Sequence, residues 1–139
     1  MKYQDTAWTI LKNKGYKKTK QRIQVLSIID ATDLPLSFTD IVKKSVWQWL
    51  DEVTVYRFLH ILEELHLVKK LSSLRSYIKC DWSHHPHNHY FFVCNDCHTV
   101  SEKVIHDTNS WWSLMWVFPD HQSIEIVWIC KSCNNNNHN

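Results

Sequence analysis

Hydrophobic residues in the first eighty positions recur three or four residues apart, which is the spacing of amphipathic helices. The first such run covers residues 3–14, and Gly15 follows it as a natural stop. Thr19 is a suitable N-cap for a second helix, which ends before Pro35. The two helices place the following apolar residues on their inner faces: Ala7, Ile10, Leu11, Ile23, Leu26 and Ile29.

Two further helices are predicted from the residues at their starts. Ser37, with Asp40 three positions later, fits a capping box and opens a short third helix. Asp51 is the predicted N-cap of a fourth helix. The apolar stripe of this fourth helix consists of Val55, Phe58, Leu59, Leu62 and Leu65. Its other face carries Thr54, Arg57, His60 and Glu64.

A β-hairpin is predicted directly after the fourth helix. Two β-rich runs cover residues 67–71 and 76–79, with Ser72 and Ser73 as turn residues between them. Several helices followed by a hairpin is the order of a winged helix-turn-helix domain, in which the last helix enters the DNA major groove and the hairpin touches the flanking backbone. We therefore predict that residues 1–80 form a winged-helix DNA-binding domain.

The fourth helix is the candidate recognition helix of this domain. Asp51 and Glu52 at its start suit the helix dipole but repel phosphate. DNA contacts are therefore expected from Thr54, Tyr56 and Arg57 and from lysines outside the helix. The alternative is that the side chains of this helix only pack in the core. The leucines of the helix are expected to pack there in either case.

Alternation and β-propensity predict a smaller sheet in the second half of the chain. The predicted strands cover residues 90–93, 99–105 and 124–129, and residues 107–117 are compatible with a helix. Residues 134–139 are rich in asparagine and are expected to be a disordered tail.

Four cysteines form two CxxC pairs, each placed just after a predicted strand: Cys94 with Cys97, and Cys130 with Cys133. Two such pairs present four thiolates to one tetrahedral Zn²⁺, as in closed structural sites. Disulfides and a redox CxxC are the alternatives; the first is disfavoured in a cytosolic protein and the second lacks a thioredoxin-like context. The leftover Cys80 is expected to be a buried thiol.

Histidines are concentrated just before the first CxxC pair, in residues 81–89, which we interpret as a hinge. Imidazole and carboxylate ligands suit a second, regulatory divalent metal, either Zn, Fe or Mn. A histidine-rich linker without a metal is the alternative. The candidate ligands of this second site are His85, His87, His89, Glu102 and His121.

Charge is distributed unevenly over the 139 residues. Residues 1–79 hold 14 Lys and Arg against 8 Asp and Glu, whereas residues 80–139 hold 2 against 6. The positively charged first half is typical of a module that binds a polyanion. The negatively charged second half is not expected to bind one. The sequence has no window of about 20 apolar residues and no secretory signal, so we expect a cytoplasmic protein without a membrane partner.

Taken together, these motifs resemble the ferric uptake regulator (Fur) superfamily of metal-responsive bacterial repressors over nearly the full chain. The matching stretches are GYKKTKQR at residues 15–22, TVYR at 54–57, LEELHLVKK at 62–70, the histidine-rich hinge, CNDC and ICKSC. The resemblance implies that residues 90–133 form a dimerisation and metal-binding domain and that the protein is a homodimer. It also implies that Tyr56 and Arg57 face DNA, and we add these candidate contacts: Lys18, Gln21 and Arg22.

The chain departs from the family pattern at the regulatory site. The family's histidine two residues after His89 falls on Phe91, which cannot bind a metal. A ligand from the DNA-binding half falls at Pro35, and a late-strand histidine falls at Gln122, next to His121. We therefore expect a site rebuilt from neighbouring histidines.

Glycine is scarce, because the chain has one glycine and eight tryptophans where ~7% glycine is usual. Trp116 and Trp128 stand at positions where the resembled family usually has glycine. We hypothesise that some tryptophans are encoded by UGA in an organism that reads this codon as glycine. Codons UGG at positions 116 and 128 would contradict the hypothesis.

The sequence thus predicts an α+β protein in which an N-terminal winged helix-turn-helix domain precedes a small α/β dimerisation domain with a four-cysteine structural zinc site. The predicted function is a metal-dependent repressor that binds a double-stranded DNA operator. The alternative is a zinc-stabilised metal-buffering or protein-interaction module without specific DNA binding. We predict no enzyme, since no HExxH helix or comparable arrangement accompanies the histidines.

Overall fold

The computed structural model describes residues 2–45, 50–80, 89–104 and 123–136. The chain divides into two compact units, Met1–Trp82 and Ser83–Asn139. The predicted hinge, residues 81–89, lies outside the described residues except for His89, which begins a strand.

The described residues of the N-terminal unit form four helices and three strands. In chain order these are α1 (Tyr3–Asn13), α2 (Lys20–Asp30), β1 (Leu36–Ser37), α3 (Phe38–Lys44), α4 (Glu52–Glu64), β2 (Val68–Leu71) and β3 (Ser76–Lys79). All four predicted helices and both strands of the predicted hairpin are confirmed.

The first helix ends and the second begins where their terminal residues predict, whereas α2 ends at Asp30, before the predicted stop at Pro35. Gly15 has φ +83°, a left-handed conformation that glycine adopts without a Cβ clash, and it ends α1. The Thr19 side chain accepts a hydrogen bond from the Arg22 amide at 3.4 Å and so caps α2. Lys79 fixes the loop after α2, because its ammonium lies 2.9 Å from the Asp33 carboxylate.

The capping box predicted for α3 is present. The Ser37 hydroxyl accepts from the Asp40 amide at 3.0 Å, and the Asp40 carboxylate accepts from the Ser37 amide at 2.9 Å. Asp51 caps α4 in a similar way, since its carboxylate accepts from the Val53 amide at 3.3 Å. These contacts satisfy backbone donors that would otherwise lack partners in the first turn of each helix.

The N-terminal sheet has the strand order β1-β3-β2, and both pairings are antiparallel. Leu71 lies opposite Ser76 across the hairpin that forms the wing. Strand β1 was not predicted, because a two-residue strand is too short to show alternation. It pairs Leu36 with Tyr77 and attaches α3 to the wing.

The core of the N-terminal unit is made by the inner faces of its helices and wing. The Tyr3 hydroxyl donates to the Leu67 carbonyl at 2.6 Å and joins α1 to the start of the wing. Each buried apolar side chain adds roughly 1.5–3 kcal/mol of transfer free energy. The buried core residues are Ala7, Leu11, Val25, Leu26, Ile29, Leu36, Ile41, Val55, Phe58, Leu59, Leu62, Leu67, Val68 and Tyr77.

The described residues of the C-terminal unit form a three-stranded sheet and one helix. These are β4 (His89–Cys94), β5 (Val100–Val104), β6 (Ser123–Trp128) and α5 (Lys131–Asn136). The strand order is β5-β4-β6, with β4 antiparallel to β5 and parallel to β6. All three predicted strands are confirmed.

The tail prediction is wrong for part of its length. Helix α5 continues through Asn136, whereas disorder was predicted from residue 134 onward. The Asn134 amide donates to the Cys130 carbonyl at 2.9 Å, so the second CxxC pair starts a helical turn that its asparagine-rich composition does not indicate. Residues 137–139 and the helix predicted for 107–117 lie outside the described residues. No helix within the described ranges is long and apolar enough to cross a membrane.

Candidate metal centre and nucleic-acid interface

The two CxxC pairs converge at one end of the C-terminal sheet. Cys94 ends β4, and Cys97 lies in the turn after it. Cys130 follows β6, and Cys133 lies in the first turn of α5. Because β4 and β6 run parallel, with Cys94 opposite Trp128, both pairs leave the sheet at the same edge. The four sulfur atoms all lie within 4.8 Å of one another.

Backbone hydrogen bonds hold the turn between the first two cysteines. The Cys94 amide donates to the Thr99 carbonyl at 2.9 Å, and the His98 amide donates to the Cys94 carbonyl at 3.0 Å. His98 has φ +60°, a left-handed conformation that tightens the turn. The Asn95 amide donates to the Trp128 carbonyl at 2.8 Å and ties this turn to β6.

The sulfur atoms interact directly, which makes their ionisation interdependent. The Cys94 sulfur accepts from the Cys130 amide at 3.3 Å, and the sulfurs of Cys97 and Cys130 are 3.8 Å apart. The amides of Cys130 and Cys97 lower the pKa of Cys94 to about 6. The hydrogen bond to the Cys130 thiol raises the pKa of Cys133 to about 12. Like charges at this separation disfavour four thiolates together, and a bound cation would favour them.

This donor set fits a structural zinc ion. None of the five cysteines forms a disulfide, which argues against the disulfide alternative. Four convergent sulfurs would complete the tetrahedral coordination of Zn²⁺ with no position left for water, and such closed sites stabilise folds. The burial of the fifth cysteine, Cys80, is confirmed, since its exposure is 5%.

The structure describes only part of the predicted regulatory site. His85, His87 and His121 lie outside the described residues, and of His89 the backbone alone is described, at the start of β4. Glu102 lies on β5 and is partly buried. The regulatory ligand set as a whole stays a prediction.

Phe91 occupies the centre of the sheet at the position where the resembled family has a histidine. Its exposure is 1%. Glu102 on β5 and Glu125 on β6 both pair with Phe91 in the sheet register. Since paired residues share a sheet face, both glutamates lie on the same face of the sheet as Phe91. Glu125 was not among the predicted ligands, because its neighbourhood depends on a parallel pairing that the sequence does not reveal.

The exposed side of α4 carries three of the predicted DNA contacts, in different environments. Tyr56 is 58% exposed, and Arg57 is exposed. Thr54 is only partly exposed, and its hydroxyl donates to the Asp51 carboxylate at 2.7 Å. This hydrogen bond is the main cause that lowers the pKa of Asp51. Thr54 therefore helps to cap the helix that presents the other two side chains.

The remaining predicted DNA contacts lie around the start of α2. The Arg22 guanidinium donates to the Lys17 carbonyl at 2.7 Å and lies 5.6 Å from the Tyr16 ring centroid. These contacts fix the loop between α1 and α2. The Lys18 ammonium lies 5.2 Å from the Trp8 ring centroid, and Gln21 is partly buried.

A cleft of about 460 Å³ separates α4 from the wing. Tyr56 meets Phe38 edge to face at one side, with centroids 6.2 Å apart. Lys70 and Arg75 supply positive charge from the wing, and both side chains are exposed. Arg75 has φ +48°, which is uncommon for a residue with a long side chain. The cleft is lined by Phe38, Tyr56, Lys70, Ser72, Arg75 and Tyr77.

Sequence reasoning missed three exposed residues of this interface: Val53 on α4, and Lys70 and Arg75 on the wing. The wing residues could have been found from their position in a predicted hairpin, since a wing touches the DNA backbone. The exposure of Val53, 55%, also follows from helical periodicity, because this valine lies about 200° around the helix from the buried Val55.

Comparison with known proteins assigns the family. The profile of the ferric uptake regulator family matches residues 13–112, which is more than half of the chain. The zinc uptake regulation protein of Escherichia coli (strain K12) is 27% identical over 131 residues, covering 89% of this chain and 77% of its own. The peroxide-responsive repressor PerR of Staphylococcus saprophyticus is 26% identical over 136 residues, covering 90% and 87%.

Solved structures share the fold. A zinc uptake regulator complexed with zinc and DNA has a TM-score of 0.79 at 24% identity and covers 98% of this chain and 95% of its own. The Helicobacter pylori ferric uptake regulator Fur has a TM-score of 0.62 at 21% identity, with coverages of 95% and 91%. With the family profile spanning most of the sequence, the protein belongs to the ferric uptake regulator family and is a metal-responsive transcriptional regulator.

Proposed function

We propose that the protein is a homodimeric, zinc-stabilised repressor that binds a double-stranded DNA operator through its winged-helix unit in response to a divalent metal. The observation that carries the proposal is the combination of a tetrathiolate cluster in one unit with a capped, exposed recognition helix in the other. The names of relatives support it, since two of them are a zinc uptake regulator and a peroxide-responsive repressor.

Zinc at the four cysteines has a structural role in this proposal. The ion would hold the ends of β4 and β6 together through thiolates from both CxxC pairs. Binding would favour the deprotonated thiols, so the free energy of zinc binding would contribute to the folding of the C-terminal unit. A closed four-sulfur site leaves metal sensing to another set of ligands.

The edge of the C-terminal sheet supports dimer formation. Strand β6 has one partner, β4, among the described strands. Ile126, Val127 and Trp128 on β6 are 38%, 53% and 42% exposed. An exposed apolar edge strand is a site for pairing with another chain. A second copy can pair there about a two-fold axis, which closes the assembly at a dimer.

The regulatory metal would act by shifting a population of dimers. A metal that binds one arrangement of the two winged helices better than the others increases that arrangement. If the same arrangement binds operator, the operator must tighten metal binding by the same factor. The proposed ligands are Glu102 with histidines of the hinge and the late strand: His85, His87, His89 and His121.

The DNA surface consists of the exposed side of α4 and the wing. Tyr56 and Arg57 would contact base edges in the major groove, and Lys18, Gln21 and Arg22 would contribute from the start of α2. Lys70 and Arg75 line the cleft beside Tyr56 and would contact a backbone phosphate. We propose no enzymatic role, and a regulator of this kind acts on DNA in the cytoplasm.

The experiment that tests this function compares specific and non-specific DNA at one salt concentration. Zinc-loaded full chain is used to enrich duplexes from a random library, and its affinity for the enriched and a scrambled duplex is measured by fluorescence anisotropy. A repressor gives a specificity ratio of about 10³ or more. A ratio near one would favour the metal-buffering or protein-interaction alternative.

Arg57→Ala provides the matching variant for this experiment. Loss of an arginine that contacts a base is expected to weaken specific binding about tenfold or more and to relax the preference for the enriched duplex. Glu64→Gln serves as the control, because Glu64 is exposed on the last turn of α4. Unchanged specific affinity in Arg57→Ala would contradict the assignment of α4 as the recognition helix.

A further inference from the structure

The recognition helix exposes an apolar side chain that lies outside the core of the described residues. Val53 is 55% exposed in the first turn of α4. It precedes Tyr56 by three positions and Arg57 by four, and residues at these spacings are neighbours on a helix surface. Val53, Tyr56 and Arg57 therefore form one exposed surface, which we call the reading face.

Among the described residues, Val53 is not part of the buried core. Valine is β-branched and has a lower helix propensity than alanine, so it weakens an exposed helical turn slightly. The apolar contacts of this end of α4 are made by Val55, which is fully buried, and by Phe58 at 2% exposure. The exposed isopropyl group is therefore available to a partner outside the chain.

The charges next to Val53 decide what kind of partner fits. Asp51 and Glu52 precede it, and both are exposed. Carboxylates at this end of the helix repel phosphate oxygens, so Val53 is poorly placed for the DNA backbone. The base edges of the major groove offer an apolar group at one base only, the C5 methyl of thymine.

We propose that Val53 contacts a thymine C5 methyl in the major groove and makes the affinity of each half-site depend on that thymine. The inference rests on the proposed function, because it requires α4 to lie in the major groove. Arg57 then supplies polar contacts to base edges, whereas Val53 reads a methyl group that hydrogen-bonding side chains cannot detect.

The test removes the methyl group alone. Zinc-loaded full chain is titrated against the enriched duplex, in which each thymine of a half-site is replaced in turn by deoxyuridine. Burial of one methyl is expected to change affinity about fourfold. We expect a loss of this size at one or two positions in each half-site for the wild-type chain, and no loss at those positions for Val53→Ala.

Leu34→Ala is the matched control, because Leu34 is also an exposed hydrophobic residue, at 65%, and lies outside α4. It should keep the wild-type response to deoxyuridine. Equal affinity for thymine and deoxyuridine at every position would overturn the inference while leaving the proposed function intact, and so would a methyl effect that persists in Val53→Ala. Failure to enrich any duplex would overturn both.

Discussion

Neighbouring side chains at the start of α4 differ in whether they cap the helix or are exposed on its surface. Thr54 donates to the Asp51 carboxylate at 2.7 Å and serves the helix, whereas Tyr56 and Arg57 are exposed beside Val53. Replacing Thr54 should therefore change stability more than sequence preference, and replacing Arg57 should do the reverse. The sequence predicted Thr54, Tyr56 and Arg57 together as DNA contacts. It did not predict that Thr54 caps the helix whereas the other two side chains are exposed.

Trp8 offers a residue-scale prediction about stability. Its indole Nε1 is buried and has no hydrogen-bond partner among the described residues. An unsatisfied buried donor costs roughly 1–3 kcal/mol. Trp8→Phe removes the donor and keeps an aromatic ring beneath Lys18, so we expect the free energy of unfolding to rise by about 1 kcal/mol.

Urea denaturation followed by far-ultraviolet circular dichroism measures this change. Leu34→Ala is the control, since Leu34 is 65% exposed and should change stability by less than about 0.5 kcal/mol. A clear loss of stability in Trp8→Phe would show that core packing of the larger indole ring outweighs the cost of the unsatisfied donor.

At the scale of elements, the capping box of α3 predicts a pH dependence. The Ser37 amide and then the Ser37 hydroxyl lower the pKa of Asp40 below its ordinary value of 3.8. A carboxyl whose pKa is lower in the folded state contributes stability above its unfolded pKa and loses that contribution as the pH falls through the folded pKa.

Asp40→Asn is therefore expected to lower the melting temperature by a few degrees at pH 7. The difference from the wild-type chain should shrink as the pH falls below about 4, where the wild-type carboxyl becomes protonated. Thermal melts at pH 7 and in acid measure both quantities. A difference that is equal at both pH values would contradict the contribution of the Asp40 charge.

The wing gives a second prediction at this scale. Lys70 and Arg75 are exposed on one side of the cleft beside α4. If each side chain neutralises one phosphate, Lys70→Gln and Arg75→Gln should each reduce the slope of log affinity against log salt by about one, with little change in the specificity ratio.

Anisotropy titrations over a range of salt concentrations measure this slope. Lys103→Gln removes the same charge from β5 in the C-terminal unit and should leave the slope unchanged. A wing variant that keeps the wild-type slope would show that the wing does not touch the DNA backbone.

The limits of a helix or strand are predictable from the sequence when residues of that element determine them. They are not predictable when contacts with distant residues determine them. Caps and glycine stops are local, so the end of α1 and the starts of α2, α3 and α4 agree with the prediction. Strand β1 and helix α5 depend on distant partners, since β1 exists only by pairing with β3 and α5 follows the convergence of two cysteine pairs. The four-cysteine cluster was predictable because its spacing encodes zinc chemistry directly.

At the scale of the whole molecule, zinc is expected to hold the dimerisation unit together. Cys94→Ser removes a sulfur that also accepts the Cys130 amide, so the variant should lose zinc and the dimer. The N-terminal unit has its own core and should keep its helices. Elemental analysis, sedimentation and circular dichroism measure the three outcomes.

Cys80→Ser is the control for this variant, because Cys80 lies outside the sulfur cluster. It should keep one zinc ion and the dimer, although a buried polar hydroxyl lowers stability. Retention of zinc and dimer by Cys94→Ser would contradict the structural role of the cluster.

The central claim is that structural zinc stabilises a dimer, and that this dimer binds one operator through two winged-helix units. Native mass spectrometry of the full chain on the enriched duplex tests it most directly, because one spectrum counts protomers and metal ions together. We expect complexes with an even number of protomers and at least one zinc per protomer. Single protomers on the duplex, or zinc-free protein bound with the same specificity, would contradict the claim.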